Sequence, residues 1–285
     1  MQAFYGASLL IFPLICVLIL AMKTLAIITA RGGSKRIPRK NIRPFCGKPI
    51  LAYSIEAALS SGAFDTVMIS TEDEEIAEIG KKYGAEVPFF RSAETSSDYA
   101  TTSDVLLEVL QEYEKRGQNY EFACCIYPTA PFVTAERLRE AMDGLAASDA
   151  DTLLPVVPFS YPPQRALVIK DGILVFRHPE HLTTRSQDLE KHYHDAGQFY
   201  AFRTGAFRKN GNIMQGKILP LVLDELEVQD IDTEEDWHLA ELKYRLLREG
   251  ESAPGNLPVR IVEIPAEEKK ELLRRGVLNN GNDQT

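Results

Sequence analysis

Leu25–Asn41 reads LAIITARGGSKRIPRKN, an apolar run that stops at a glycine-containing loop crowded with cations. Leu25–Thr29 has the length and composition of a buried strand. Arg31, Lys35, Arg36, Arg39 and Lys40 follow inside ten residues, and no acid interrupts the series before Arg43. A strand ending in such a loop suits a polyphosphate. Gly32 and Gly33 let backbone N–H groups approach an anion, and Ser34 adds a hydroxyl donor. Arg31, Lys35 and Lys40 can bring charge to a leaving pyrophosphate. A Walker A loop would need Lys-Ser/Thr after its last glycine and a dinucleotide fold would need G-x-G-x-x-G; neither is present. The plain alternative is a solvated basic turn, which six cations with no acid among them argue against.

The rest of the chain makes that loop an exception. Across 285 residues the formal net charge is -9, which excludes general affinity for nucleic acid and leaves the loop as a local anion site. Apolar residues at 45% and charged residues at 26% are ordinary for a globular protein with one large α/β domain or two smaller ones. The 4 cysteines, Cys16, Cys46, Cys124 and Cys125, form no CxxC. Cys124 and Cys125 lie in an apolar run and read as buried free thiols, pointing to a reducing compartment, the cytoplasm, and to no structural metal. Residues 7–22, ASLLIFPLICVLILAM, are nearly all apolar. They lack a cationic n-region, fall short of a bilayer span of ~20 residues, and contain Pro13. With no linker before the first strand, and Met22-Lys23 looking like a protein start, residues 1–22 are expected to be an upstream extension with no stable membrane association.

From Met22 onward strand-like and helix-like segments alternate, the pattern of a parallel sheet covered by helices. Strands are predicted at Leu25–Thr29, Thr66–Ser70, Glu86–Phe90, Phe122–Tyr127 and Thr152–Val157. Helices are predicted at Ile50–Ser60, Glu74–Tyr83, Ser103–Lys115 and Ala135–Ala147, the third capped by Thr102 or Ser103 and the fourth by Thr134. After Val157 the rhythm breaks into a proline-containing piece and a hairpin turning at Asp171-Gly172. Residues 158–196 read as an insertion (a lid, a dimerisation arm, or both) before the chain returns to strand at Gln198–Phe202. A helix at Glu234–Leu247 carries the only Trp, and 249–285 is a polar tail, partly disordered, with one short helical pattern at Ala266–Arg275.

The opening loop resembles the nucleotide-binding signature of the sugar cytidylyltransferases, Ala-Arg-x-x-Ser-Lys-x-x-x-x-Lys-Asn after the first strand. Ala30, Arg31, Ser34, Lys35, Lys40 and Asn41 meet every fixed position. Further matches follow in order: GKPILAYSIEAAL, STEDEEIAEIGKKYGAEV, RSAETSSDYATTSDVLLEVL, YPTAPF and VQDIDTEEDW. YPTAPF, FSYPPQRAL, RSQDLE and YHDAGQFY resemble the pseudaminic acid branch of the family in particular. The resemblance implies a Rossmann-like, mostly parallel sheet of the nucleotide-diphospho-sugar transferase type, spanning 23–248. It implies a reaction in which CTP and a small acidic sugar give a CMP-sugar and pyrophosphate, in a homodimer, with Mg²⁺.

Asp230 and Asp232 are the candidate metal site. Alternate residues of an extended segment face the same way, and paired carboxylates suit Mg²⁺; in the family this Asp-x-Asp holds the metal. The competing reading has Asp232 or Thr233 merely capping the following helix. The resemblance assigns Arg31, Lys40 and Asp232 to catalysis. It assigns Ala30, Arg31, Gly32, Ser34, Lys35 and Asn41 to the nucleotide, with Arg91 and Asp98–Thr102, hence Thr101 and Thr102, near cytosine and ribose. Tyr127, Arg165, Arg185 and Gln198 fall to the sugar, the two arginines to its carboxylate. N-acetylneuraminic acid members usually have Gln-Pro-Thr-Ser-Pro where this chain has Tyr127-Pro128-Thr129-Ala130-Pro131, so the acceptor is expected to differ. N-acetylneuraminic and legionaminic acids are the alternatives. Other readings are a glycosyltransferase with Asp-x-Asp, and a non-catalytic protein that binds anionic surfaces.

Overall fold

The computed structural model describes residues 22–252. The predicted N-terminal extension, apart from Met22, and the helix at Ala266–Arg275 lie outside them. One compact unit runs to Arg245; from Leu246 the chain forms a second, of which the described residues contain only the end of the last helix.

In chain order come β1 (Thr24–Thr29), the two-residue strands β2 (Pro44–Phe45) and β3 (Lys48–Pro49), and α1 (Ile50–Ser61). Next are β4 (Thr66–Ser70), α2 (Glu74–Lys82), α3 (Thr102–Lys115), β5 (Phe122–Ile126) and α4 (Ala135–Ala147). They are followed by β6 (Thr152–Pro158), β7 (Leu167–Lys170), β8 (Ile173–Phe176), β9 (Tyr193–Asp195) and β10 (Phe199–Arg203). The described part closes with α5 (Thr204–Asn210), β11 (Ile218–Val222) and α6 (Glu234–Ser252). The central sheet has the order β11-β6-β10-β5-β1-β4, with β9 on β6. β4, β1, β5, β6 and β11 run one way and β10 and β9 the other. This is the predicted mostly parallel sheet.

The apolar run of β1 shows why both faces must be covered. Leu25 and Ile27 pack with Leu106, Val109 and Tyr113 of α3 and Phe207 of α5. Ala26 and Ile28 turn the other way, onto Leu51 and Ile55 of α1 and Leu138 and Leu145 of α4. Each buried leucine or isoleucine among them contributes roughly 1.5–3 kcal/mol. From β1 the chain passes through α1 to β4 on one side, then returns through α2 and α3 to β5 on the other. That reversal opens a crevice beyond the carboxyl ends of β1 and β5, the place where open α/β sheets bind ligands.

Several details depart from expectation. Glu86–Phe90 forms no strand, only one bridge to Met68, because Pro88 lacks the N–H a ladder needs. Thr101, not Thr102 or Ser103, caps α3, in a reciprocal capping box with Asp104. Thr134 caps α4 as predicted. β9, β11 and α5 have no counterpart among the predicted elements. The predicted hairpin forms from β7 and β8 as a separate two-stranded sheet, turning through Asp171 at φ 52° and Gly172 at φ 77°, the sign of a type I′ turn. Trp237 anchors α6: it is buried, edge-on to Phe45 at 5.6 Å, with the Arg43 guanidinium 4.5 Å from its ring centre. Among the described residues no helix is long and apolar enough to cross a membrane.

Candidate active site

A cleft of about 520 Å³ occupies the crevice. It collects Arg31, Ser34, Lys35, Lys40 and Asn41 from the first loop, Arg91 and Thr101 from the segment before α3, Thr102 from the first turn of α3, and Tyr127 from just beyond β5. Residues predicted for one nucleotide from segments roughly 50–70 positions apart therefore line one cleft.

The loop is held from beneath. Buried Asn41 donates through Nδ2 to the Arg31 carbonyl at 2.8 Å. Gly32 N–H donates to Glu72 Oε1 at 2.7 Å, so this donor is occupied by a carboxylate. A Cβ on Gly32 would stand 2.5 Å from Asp73 Oδ2, so a larger residue would have to push Asp73 aside. Asp73 caps α2 through Ile76 N–H at 3.0 Å and pairs with the Arg39 guanidinium, which holds its carboxyl below the usual range. Ala30 is buried at the end of β1, its N–H on the Ser70 carbonyl at 3.0 Å. Arg91 is buried on the cleft wall, where its guanidinium binds Ser70 Oγ at 3.0 Å and the Ser70 carbonyl at 2.6 Å.

The Asp-x-Asp segment comes to the same loop. Asp232 Oδ1 accepts from Arg36 at 2.7 Å and lies 3.5 Å from Lys40 Nζ, which itself donates to the Ile231 carbonyl at 2.6 Å. The cap of α6 is Thr233: its hydroxyl takes Asp236 N–H at 3.2 Å, and Asp236 answers on Thr233 N–H at 2.8 Å. This is a reciprocal capping box, and it leaves the Asp232 carboxylate free of capping duty and turned to the cations. Asp230 is held above the usual carboxylate range, first by desolvation and then by the charge of Asp232, with Lys40 pulling the other way. A divalent cation would relieve that crowding. Among the described residues no group of three or more His, Cys, Asp or Glu could hold a metal. As a donor set, two carboxylates fit an ion such as Mg²⁺, which takes one or two carboxylates and completes its shell with phosphates and water.

A family model described as Cytidylyltransferase matches residues 25–243. The chain is 42% identical over 229 residues to a pseudaminic acid cytidylyltransferase of Campylobacter jejuni, covering 80% of this chain and 99% of that one. The chain belongs to the cytidylyltransferase family. It is 32% identical to a CMP-N,N'-diacetyllegionaminic acid synthase of Legionella pneumophila, covering 80% and 99% of the two chains. In fold it is similar to a CMP:2-keto-3-deoxy-manno-octonic acid synthetase solved with CTP, with a TM-score of 0.59, 16% identity and coverage of 80% and 99%. Membership makes the chain a nucleotidyltransferase and sets aside the glycosyltransferase and non-catalytic readings.

The sugar candidates of this cytidylyltransferase are less gathered. Tyr127 faces the cleft, its hydroxyl in reach of Thr102 and Tyr200; the two rings stand 5.5 Å apart, edge to face. Tyr200 donates to Asp195 Oδ2 at 2.8 Å, a link absent from the predicted set, although Asp195 lies in the YHDAG motif. Gln198 is buried and its Nε2 donates to the Glu227 carbonyl at 2.6 Å, so its amide braces the segment leading to Asp230. Arg165 lines a separate hollow of about 1000 Å³ in the 158–196 segment, bonded to Ser186 Oγ at 3.0 Å. Arg185 is exposed and pairs with Asp188 at 2.9 Å. Neither arginine reaches the cleft of its own chain. Cys124 and Cys125 offer no nucleophile: burial pushes Cys125 up to about 12 and Cys124 well above its ordinary value, so neither is a thiolate at neutral pH.

Proposed function

We propose that this cytidylyltransferase moves CMP from CTP to the anomeric hydroxyl of a nine-carbon 2-keto sugar acid, pseudaminic acid in preference to N-acetylneuraminic or legionaminic acid, and releases pyrophosphate. The observation that carries the reading is the convergence of Arg31, Lys35 and Lys40 on the strand-reversal crevice, with Asp232 beside it, 3.5 Å from Lys40 Nζ. The sugar hydroxyl attacks the α-phosphorus in line as pyrophosphate leaves, so positioning and charge are the whole of the catalysis. Arg31, Ser34, Lys35 and Lys40 bind the phosphates, and Arg31 and Lys40 stabilise the departing charge. Arg91, Thr101 and Thr102 shape the base and ribose end. Asp230 and Asp232 would hold Mg²⁺, which supplies further charge neutralisation on the phosphates.

The acceptor arginines fit a homodimer, in which the 158–196 arm of one copy would bring Arg165 or Arg185 to the sugar carboxylate of the other. The arm's exposed Tyr161, Ile169, Ile173 and Leu174 suit such a contact. The free thiols suit the cytoplasm. A pyrophosphate-release assay with CTP, UTP, ATP and GTP against the three sugar acids tests the reading. Release is expected only with CTP plus an acid; release with no acid, or none with any, would end it.

Arg31→Ala and Lys40→Ala should each lower kcat by about tenfold or more with a smaller change in the KM for sugar, because their charge matters most as pyrophosphate departs. A rise confined to the sugar KM would move the loop to the acceptor side.

A further inference from the structure

Asp98 stands where the nucleotide's own negative charge is needed. Its Oδ1 takes a hydrogen bond from Arg31 Nη1 at 2.9 Å and its Oδ2 one from Lys35 Nζ at 2.5 Å. One carboxylate thus bridges two of the three cations assigned to the phosphates. The loop that carries it is pinned. Glu108 of α3 accepts from Ser92 N–H at 2.9 Å and from the Thr95 hydroxyl, Ser96 Oγ donates to the Ser92 carbonyl at 2.6 Å, and the Thr101–Asp104 capping box closes the other end. Lys35 first, then Arg31, keep the Asp98 carboxyl below its usual range, so it is charged at neutral pH.

We infer that Asp98 is an internal competitor for the phosphate site: it holds Arg31 and Lys35 over the cleft when no nucleotide is bound, gives them up to the phosphates of CTP, and takes them back as pyrophosphate leaves. The inference rests on the reading of the cleft as the nucleotide site. Asp98 takes Arg31 Nη1 and one N–H of Lys35, so a phosphate that uses those donors must displace the carboxylate, and one that uses the remaining donors must stand beside its negative charge. Arg31, Lys35 and Asp98 keep 41%, 79% and 46% of their side-chain area exposed, and exposed ion pairs are weak. The competition is therefore a matter of a few-fold, enough to ease product release without blocking substrate. The carboxylate also offsets the mutual repulsion of two cations in so dense a loop.

The test is calorimetric binding of inorganic pyrophosphate and of CTP, without metal, to the parent and to Asp98→Asn. The variant should bind both about fivefold more tightly. The gap should narrow as salt is raised, because screening weakens the competing pair. Asp98→Ser, which removes the carboxylate with a smaller side chain, should behave alike, and Asp98→Glu should stay near the parent. Unchanged or weaker pyrophosphate binding in variants whose Tm matches the parent would overturn the inference; weaker CTP binding alone would make Asp98 a direct nucleotide contact instead. A parent that binds neither ligand would remove the nucleotide site itself, and the inference with it.

Discussion

Asp232→Asn is expected to lower turnover by at least about 10²-fold, the scale on which one charge-stabilising group acts, while CTP binding without metal and thermal stability stay close to the parent. The geometry separates these effects. Asp232 does not cap α6, since Thr233 and Asp236 do so reciprocally, and its pairs with Arg36 and Lys40 are partly exposed and worth little to folding. An asparagine oxygen can still accept from Arg36, so the loop keeps its place. What it cannot do is supply the second negative charge of the Asp230/Asp232 pair, whose crowding shows in the raised Asp230 carboxyl. The variant should need more Mg²⁺ for half-maximal rate. Near-normal turnover would take Asp232 out of the metal site and leave it a loop anchor only.

The second large effect concerns the acceptor. We expect kcat/KM for pseudaminic acid to exceed that for N-acetylneuraminic acid by at least ~10²-fold, about 2.7 kcal/mol. Both sugars present a carboxylate, so discrimination must come from the rest of the ring. Pseudaminic acid carries acylamido and deoxy groups where the other has hydroxyls, which calls for apolar or aromatic surface instead of amide donors. Tyr127 supplies this: it lines the cleft as a ring, and its hydroxyl is in reach of Thr102 and Tyr200. Ala130, by contrast, is buried, so of the two changes in the YPTAP segment only Tyr127 lines the cleft. A hydroxyl bound against it would lose water and gain no partner, a penalty of order 1–3 kcal/mol. Equal use of the two sugars would remove the acceptor preference and leave the cytidylyltransferase chemistry standing.

Much of this fold is legible in the sequence because its signals are local. α4 begins and ends as predicted, since Thr134 caps it and its apolar residues repeat at helical spacing. β1 and β5 are unbroken apolar runs, as strands buried on both faces must be. β11 escaped because Pro220 interrupts it and none of its residues is fully buried; it is an edge strand, where proline is tolerated. Glu86–Phe90 failed the opposite way, apolar enough for a strand but with Pro88 in its middle.

The site divides similarly. The cations of the loop were countable, but their partners lie far off in the chain. Arg36 meets Asp232 across 196 positions, Arg31 meets Asp98 across 67, and Arg43 meets Glu234 across 191. Nothing local announces such pairs, and they are why a cluster of positive charge can persist in an acidic protein. Gln198 shows the converse limit. Its place in the motif suggested a sugar contact, while the packing buries its amide on a backbone carbonyl.

In the proposed reaction CMP passes directly from CTP to the sugar, with no intermediate on the protein. CTP labelled at the α-phosphate, incubated with stoichiometric enzyme in the presence and absence of pseudaminic acid, tests it most directly. The account predicts no pyrophosphate release and no protein-bound label without the sugar. With the sugar, it predicts one pyrophosphate for each labelled CMP-sugar formed. A burst of pyrophosphate equal to the enzyme in the absence of sugar, with the label retained on the protein, would contradict it.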